Sequence, residues 1–567
     1  MSEFDLVIRG GLVVDGSGAE PFPADVGIRD GLIAAVGPEL GKGRDEIDAA
    51  GQIVTPGFVD IHTHYDAQVT WEQRLIPSSF HGVTTVVIGN CGVGFAPCRE
   101  AEREQLVRLM EGVEDIPYPV LTEGLPWTWT TFPEYLDLIA SRDYDMDIAA
   151  FVPHAALRVH VMGQRGADRE PATAEDIAEM CRLLEEALDA GALGIATSRT
   201  IFHRSSDGKS IPTLNAADEE LLAFARVLRK KGKGLFQIVE DLHLPGASLN
   251  SMRAIAREAG RPLTFSIGCG NSGPKAWPRL LDELEAANAE GLVMKGQVIP
   301  RGIGMILGFE LTLNPFYTTP TYSRLVHLPL AERLVELRKP EVRAAILSED
   351  MDPDPALVLG RMVREFDTMF LLGDPPDYEQ PPERSIASLA RAKGISPEEF
   401  AYDVMIEGET GGKLYLAMSN YADGCLDSVS AMLDHPDVVL GLGDGGAHVG
   451  TICDASYSTF ALMHWTRDRE RGRKPLADVV HRMTQATARI AGLEDRGLVA
   501  PGLRADLNVI DYDGLKLLEP EVCYDLPAGG RRLVQRSEGY QATLVKGQVV
   551  CRSGEATGAL PGQLIRA

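Results

Sequence analysis

No apolar run in this sequence reaches about 18 residues, the length a helix needs to span a bilayer, so no membrane-crossing helix is expected. The start, MSEFDLVIRGG, lacks a basic stretch followed by an apolar one, so no secretory leader is expected either. Cysteine is scarce, eight residues from Cys91 to Cys551 with no short repeated spacing. In a chain of 567 residues that points to free thiols and a cytoplasmic location, not a disulfide framework. Basic residues are outnumbered, 55 Lys and Arg against 82 Asp and Glu, for a formal net charge of -27. Nucleic acid and anionic membrane both need a basic face, so neither is expected as a partner, and a small-molecule substrate is. Low-complexity segments and solenoid-period repeats are missing too. What remains is an ordinary globular composition, 44 % hydrophobic and 24 % charged, in a chain too long for one core.

Residues 4–54 read as short strands broken by glycine, with Asp30-Gly31 as a hairpin turn. From about residue 56 helical patterns alternate with short apolar runs, the signature of β-α units around a parallel sheet. Thr173 is placed to cap a helix, and further helices are expected near 217–231, 248–259, 278–290 and 476–492. Strands are expected at Thr84–Cys91, Leu193–Ser198, Leu235–Val239, Pro262–Ser266, Leu292–Met294 and Asp437–Asp444. Between about 300 and 400 the alternation fails among prolines and aromatics, which suggests an insertion or lid. From Gly497 the texture reverts to β, and the two β-rich ends are expected to pair into one small β domain.

The stretch Ile53 to Asp66, IVTPGFVDIHTHYD, carries the chemistry. In an extended strand, residues two apart share a face, so His62 and His64 point together. Two neutral imidazoles at the end of an apolar strand, followed by Asp66, suit a divalent transition metal. Cys91 in GNCGVGFAP and Asp444 in GDGGAH also fall where apolar runs end. A hydrogen-bonded histidine pair, a buried apolar cysteine and a helix-capping acid are the plain alternatives for these residues.

The N-terminal DLVIRGGLVVDGSG, PGFVDIHTHYD, GNCGVGFAP at 89–97 and GLRADLNVID at 502–511 together resemble the amidohydrolase superfamily. Within it they are most similar to the N-acyl-D-amino-acid deacylase (D-aminoacylase) branch. The resemblance covers essentially the whole chain and implies a (β/α)8 TIM-like barrel with a small β-sandwich domain built from both chain ends. Residues 1–55 and 496–567 would form the two parts of the sandwich and 56–495 the barrel, with the insertion at about 300–400. It implies a metal-dependent hydrolase of an amide such as an N-acyl amino acid. His62, His64, Cys91 and Asp444 would hold the metal, with Asp444 also as general base and acid. Zinc is the metal expected for such a donor set, one ion rather than two, with another divalent metal as the alternative. A homo-oligomer is suggested by the family alone.

Two departures bear on the substrate. The deacylases carry a His at the end of the fifth strand, where this chain has LFQIVED and offers Gln237, Val239 and Glu240. They also carry His-His-Lys on the sixth strand, where this chain has Phe265-Ser266-Ile267-Gly268-Cys269. The missing Lys is the residue the family uses for the substrate carboxylate. Gln237, Glu240 and Cys269 are left to complete a metal shell, and His203, Arg199 and Arg204 to meet substrate. His448 reads equally as a site or a loop residue, and His154 with Arg158 as structural or near-site. Two other readings stay open: a cyclic amide or lactone hydrolase, and a metal-poor relative that binds without hydrolysing.

Overall fold

Eight parallel strands build the centre of the molecule. They are Phe58–Asp60 (β1), Val83–Ile88 (β2), Asp147–Pro153 (β3), Gly194–Arg199 (β4), Leu235–Glu240 (β5), Leu263–Ser266 (β6), Met294–Val298 (β7) and Val438–Leu440 (β8). Each pairs with the next in chain order. The ring closes beyond β8, where the Asp444 N–H donates to the His62 carbonyl at 3.3 Å and the His64 N–H to the Gly445 carbonyl at 2.8 Å. The computed structural model that shows this describes residues 2–244, 246–271, 275–351 and 358–567. Among them no helix is long and apolar enough to cross a membrane.

The strands are apolar on both faces because helices cover the outside of the ring and side chains fill its inside. Ala174–Asp189, Asp218–Lys231, Asn250–Ala259 and Trp277–Ala289 are four of those helices. Thr173 opens the first of them, its hydroxyl accepting from the Asp176 N–H while Asp176 answers the Thr173 N–H. The protein is thus a (β/α)8 TIM-like barrel, with a small β-sandwich domain drawn from both chain ends.

In that second element, strand Leu507–Ile510 lies between Ile53–Pro56 and Tyr540–Val545, so N-terminal and C-terminal segments share one nine-stranded sheet. The Asp30-Gly31 turn joins Phe22–Arg29 to Leu32–Gly37, with both turn residues in the left-handed region as a tight hairpin requires. A buried charge cluster fastens this sheet to the barrel floor. Asp147 of β3 takes Arg496 at 2.7 Å and Arg504 at 2.8 Å, and Arg504 also reaches Asp506 at 3.1 Å.

Several sequence expectations shift. The strand expected at Leu292–Met294 runs Met294–Val298, and the last one stops at Leu440, so Asp444 stands on a loop beyond it. The helix expected over 476–492 is broken at Thr484 into Leu476–Met483 and Gln485–Ile490. The insertion is longer than 300–400. It holds an antiparallel sheet of Ile303–Leu307, Met369–Leu371 and Leu414–Ser419, with its own core around Phe309, Phe316 and Tyr402. Residues 352–357 of that stretch lie outside the described residues. A second insertion between β2 and β3, with helices Arg103–Glu114, Tyr118–Gly124 and Phe132–Ala140, has no counterpart in the sequence reading.

Candidate metal centre and its cavity

β1 ends at Asp60, so His62 and His64 occupy the extended segment just past the strand, not the strand itself. The backbone there is held from both sides. Asp60 Oδ1 accepts from the His62 N–H at 3.1 Å, and the Gly445 carbonyl accepts from the His64 N–H. Cys91 follows β2 on a turn with φ +55, and Asp444 follows β8 with φ +47. Left-handed backbone at non-glycine residues costs free energy and collects at functional sites. Gly446 must be glycine, since a Cβ there would meet the His64 carbonyl oxygen at 2.8 Å.

These loops bring donor atoms of His62, His64 and Cys91 within 4.8 Å of one another and set Asp444 beside both imidazoles. His62 Nε2 lies 3.3 Å from Cys91 Sγ and 3.8 Å from Asp444 Oδ1. His64 Nε2 lies 3.8 Å from the same sulfur and 3.7 Å from the same oxygen. The 3.3 and 3.8 Å separations of the two Nε2 atoms from the sulfur suit donors to one ion at about 2.0–2.3 Å, the bond lengths zinc takes. The chemistry of the set agrees. Burial pulls His62 down to about 4, against the opposing Gln297 hydrogen bond, and holds His64 well below its usual range. Both imidazoles are therefore neutral, the ligating form. Burial raises the Asp444 carboxyl and the Cys91 thiol well above their ordinary values, with the nearby carboxylates adding to it for Cys91. A buried acid and a buried thiol beside neutral imidazoles lack positive charge, which a divalent cation supplies.

The next shell orients this set. His62 Nδ1 donates to Gln297 Oε1 at 2.8 Å, which leaves Nε2 free to face the sulfur. Glu114 Oε1 stands 3.3 Å from His64 Nδ1, and its Oε2 is 3.7 Å from His448 Nε2. Gln237 Oε1 accepts from the Cys91 N–H at 3.2 Å. Asp66 Oδ2 accepts from the Gly89 N–H, fixing the turn that carries Cys91. Gln297→Leu should weaken metal affinity by about 10–100-fold with little change in fold, read by competition with a chromogenic chelator. An unchanged affinity would remove Gln297 from the metal's support.

The centre opens into a cavity of about 510 Å³, lined in part by His203, His448, Cys269, Glu114 and residues of the long insertion. His203 reaches it from the loop after β4, its Nδ1 held by Ser198 Oγ at 2.8 Å. The other expected substrate residues are elsewhere. Arg199 is not available for a carboxylate, because Glu240 and Asp218 already engage its guanidinium. Arg204 turns back on its own loop, donating to the carbonyls of Ile201 and Gly208. Gln237 lies beneath Cys91 and does not line the cavity, while Cys269 lines it. His154 and Arg158 both bind Glu220, at 2.6 and 2.5 Å, in a buried structural cluster.

Glu114 and Gln297 went unrecognised in the sequence. Gln297 had a weak signal, an amide three residues past the apolar Leu292–Met294. Glu114 had none, since it ends a helix in an insertion with no strand to place it.

The sequence pattern of the Amidohydrolase family matches residues 45–551. An uncharacterised protein of Mycobacterium tuberculosis is 30 % identical over 98 % of this chain and 93 % of its own. A D-aminoacylase of Alcaligenes xylosoxydans xylosoxydans is 28 % identical over 99 % of this chain and 97 % of its own. The crystal structure of an N-acyl-D-glutamate deacylase from Bordetella bronchiseptica, complexed with zinc and a phosphonate inhibitor, superposes with a TM-score of 0.64. It is 25 % identical, over 100 % of both chains. Because the family match runs through the barrel and into the strands of both chain ends, the chain as a whole belongs to the Amidohydrolase family.

Proposed function

We propose that this chain hydrolyses the amide bond of an N-acyl amino acid or related N-acyl compound, with one zinc ion held by His62, His64, Cys91 and Asp444. The observation that carries this reading is the meeting of donors from His62, His64 and Cys91, with Asp444 Oδ1 at 3.7–3.8 Å from both Nε2 atoms, on a cavity that admits a small molecule. The deacylases among its relatives support it at 28 % identity over nearly the full length of both chains.

A divalent cation in this site supplies Lewis-acid polarisation of an amide carbonyl and makes water more acidic. The chain's own residues do the rest. Asp444, on its strained loop, accepts a proton from water at a carboxylate oxygen and returns it to the amide nitrogen as the carbon–nitrogen bond breaks. The products are a carboxylic acid and an amine. Gln297 holds the His62 imidazole in the orientation that keeps Nε2 toward the donors, and Glu114 stands beside the His64 ring.

Elemental analysis of protein purified without chelators tests the reading. One zinc per chain is expected, with turnover of N-acyl amino acids lost on chelation and restored by added zinc. Less than one metal per two chains, with no rescue, would favour a binding protein that does not hydrolyse. Turnover confined to hydantoins, dihydropyrimidines or lactones in the same screen would overturn the open-chain substrate.

A further inference from the structure

Carboxylates from several elements line the cavity, and among the described residues lining it there is no lysine or arginine. The residues outside the described set contain none either. Two of the lining acids are already matched, Glu240 by Arg199 and Asp454 by Arg301, and neither arginine lines the cavity. Glu111, Glu114, Asp241 and Glu365 have no lysine or arginine partner among the described residues, and Asp115 has only Arg531 acting on it electrostatically. Asp115 accepts from Gly450 and Thr451, and Asp241 from Thr200 and Ile201, all neutral donors.

Glu114 carries the point beyond a mere cluster of acids. Its side chain is 1 % exposed, it lines the cavity, and neither of its carboxylate oxygens accepts a hydrogen bond, although Oε1 stands 3.3 Å from His64 Nδ1 and Oε2 3.7 Å from His448 Nε2. Asp454 Oδ2, also buried and lining the cavity, is equally unpartnered. Most buried polar groups in folded proteins are satisfied, so these oxygens are open to a donor from a bound molecule. The metal does not fill that role for the substrate. A divalent cation is offset by the Cys91 thiolate and the Asp444 carboxylate, which leaves no surplus positive charge at the centre. A substrate carboxylate would lose its water among like charges without a counter-ion. An ammonium or guanidinium group would find acceptors on several sides.

We propose that the cavity selects N-acyl compounds carrying a cationic amine or guanidinium group, and disfavours those whose only charge is a carboxylate. The selection rests on the hydrolase reading for its acyl group, but the charge preference is measurable by binding alone. Three ligands of similar length isolate the charge: N-acetylated 1,5-diaminopentane, N-acetylpentylamine and 5-acetamidopentanoate. Each is titrated by calorimetry into the zinc-loaded full chain, with acetate release followed in parallel. The cation should bind at least about ten-fold more tightly than the anion, with the neutral ligand between them. Equal or tighter binding of the anion overturns the proposal, and so does a failure of all three to bind. The expected order without acetate release from any ligand supports the charge preference while counting against the hydrolase reading. A Glu111→Gln, Glu365→Gln double variant, changed only outside the metal centre, should narrow the gap between cation and anion. A gap that stays unchanged overturns the assignment to these carboxylates.

Discussion

Asp444→Asn is expected to fold normally, keep its melting temperature and lose turnover by about 10²–10⁴-fold or more, the contribution of a positioned general base. Asparagine is the right probe because residue 444 has φ +47, a left-handed conformation that Asn adopts readily and most other residues do not. Alanine there would confuse backbone strain with lost chemistry. The amide also relieves a cost, since burial already raises the Asp444 carboxyl well above its usual range. Asp444 faces both Nε2 atoms, so zinc content must be measured beside turnover. Retained zinc with lost turnover isolates the proton transfer. Retained turnover would remove Asp444 from the base role altogether.

The largest effect on stability is expected at Asp147, far from the chemistry. Its side chain is fully buried and answers two guanidiniums, Arg496 at 2.7 Å and Arg504 at 2.8 Å. It also accepts from the Gln563 N–H at 2.9 Å. Asp147→Ala leaves Asp506 as the one buried acid for two buried cations. Breaking such a cluster from one side costs about 3–5 kcal/mol, because the abandoned charge stays out of water. Urea denaturation followed by circular dichroism should show a lower midpoint with activity retained in the folded fraction. A change under about 1 kcal/mol would mean that water or rearrangement reaches the arginines.

Much of the fold was legible because its strands are buried on both faces and therefore stand out as apolar runs between helical periods. The β-rich ends were legible through turn pairs such as Asp30-Gly31. What escaped was whatever lacks periodicity. The insertion between β2 and β3 contains helices, but no strand frames it, so Glu114 could not be set beside His64. The same limit applies to the candidate substrate residues. Arg199 looked free in the sequence because its partners Glu240 and Asp218 are 41 and 19 residues away. His62, His64, Cys91 and Asp444 were readable as strand-end residues, but only the folded ring shows that their donor atoms converge.

The shared sheet also sets the order in which the molecule can be completed. Strand Ile53–Pro56 is made early, yet its neighbour Leu507–Ile510 is translated about 450 residues later. At about 5–20 residues per second, the ribosome takes roughly 20–90 s to supply it. Throughout that interval the earlier strand presents a bare edge to solvent and to any passing chain. The terminal segments therefore act as the final clasp of assembly, and a nascent chain stalled before residue 507 carries an adhesive ribbon that the finished protein never shows.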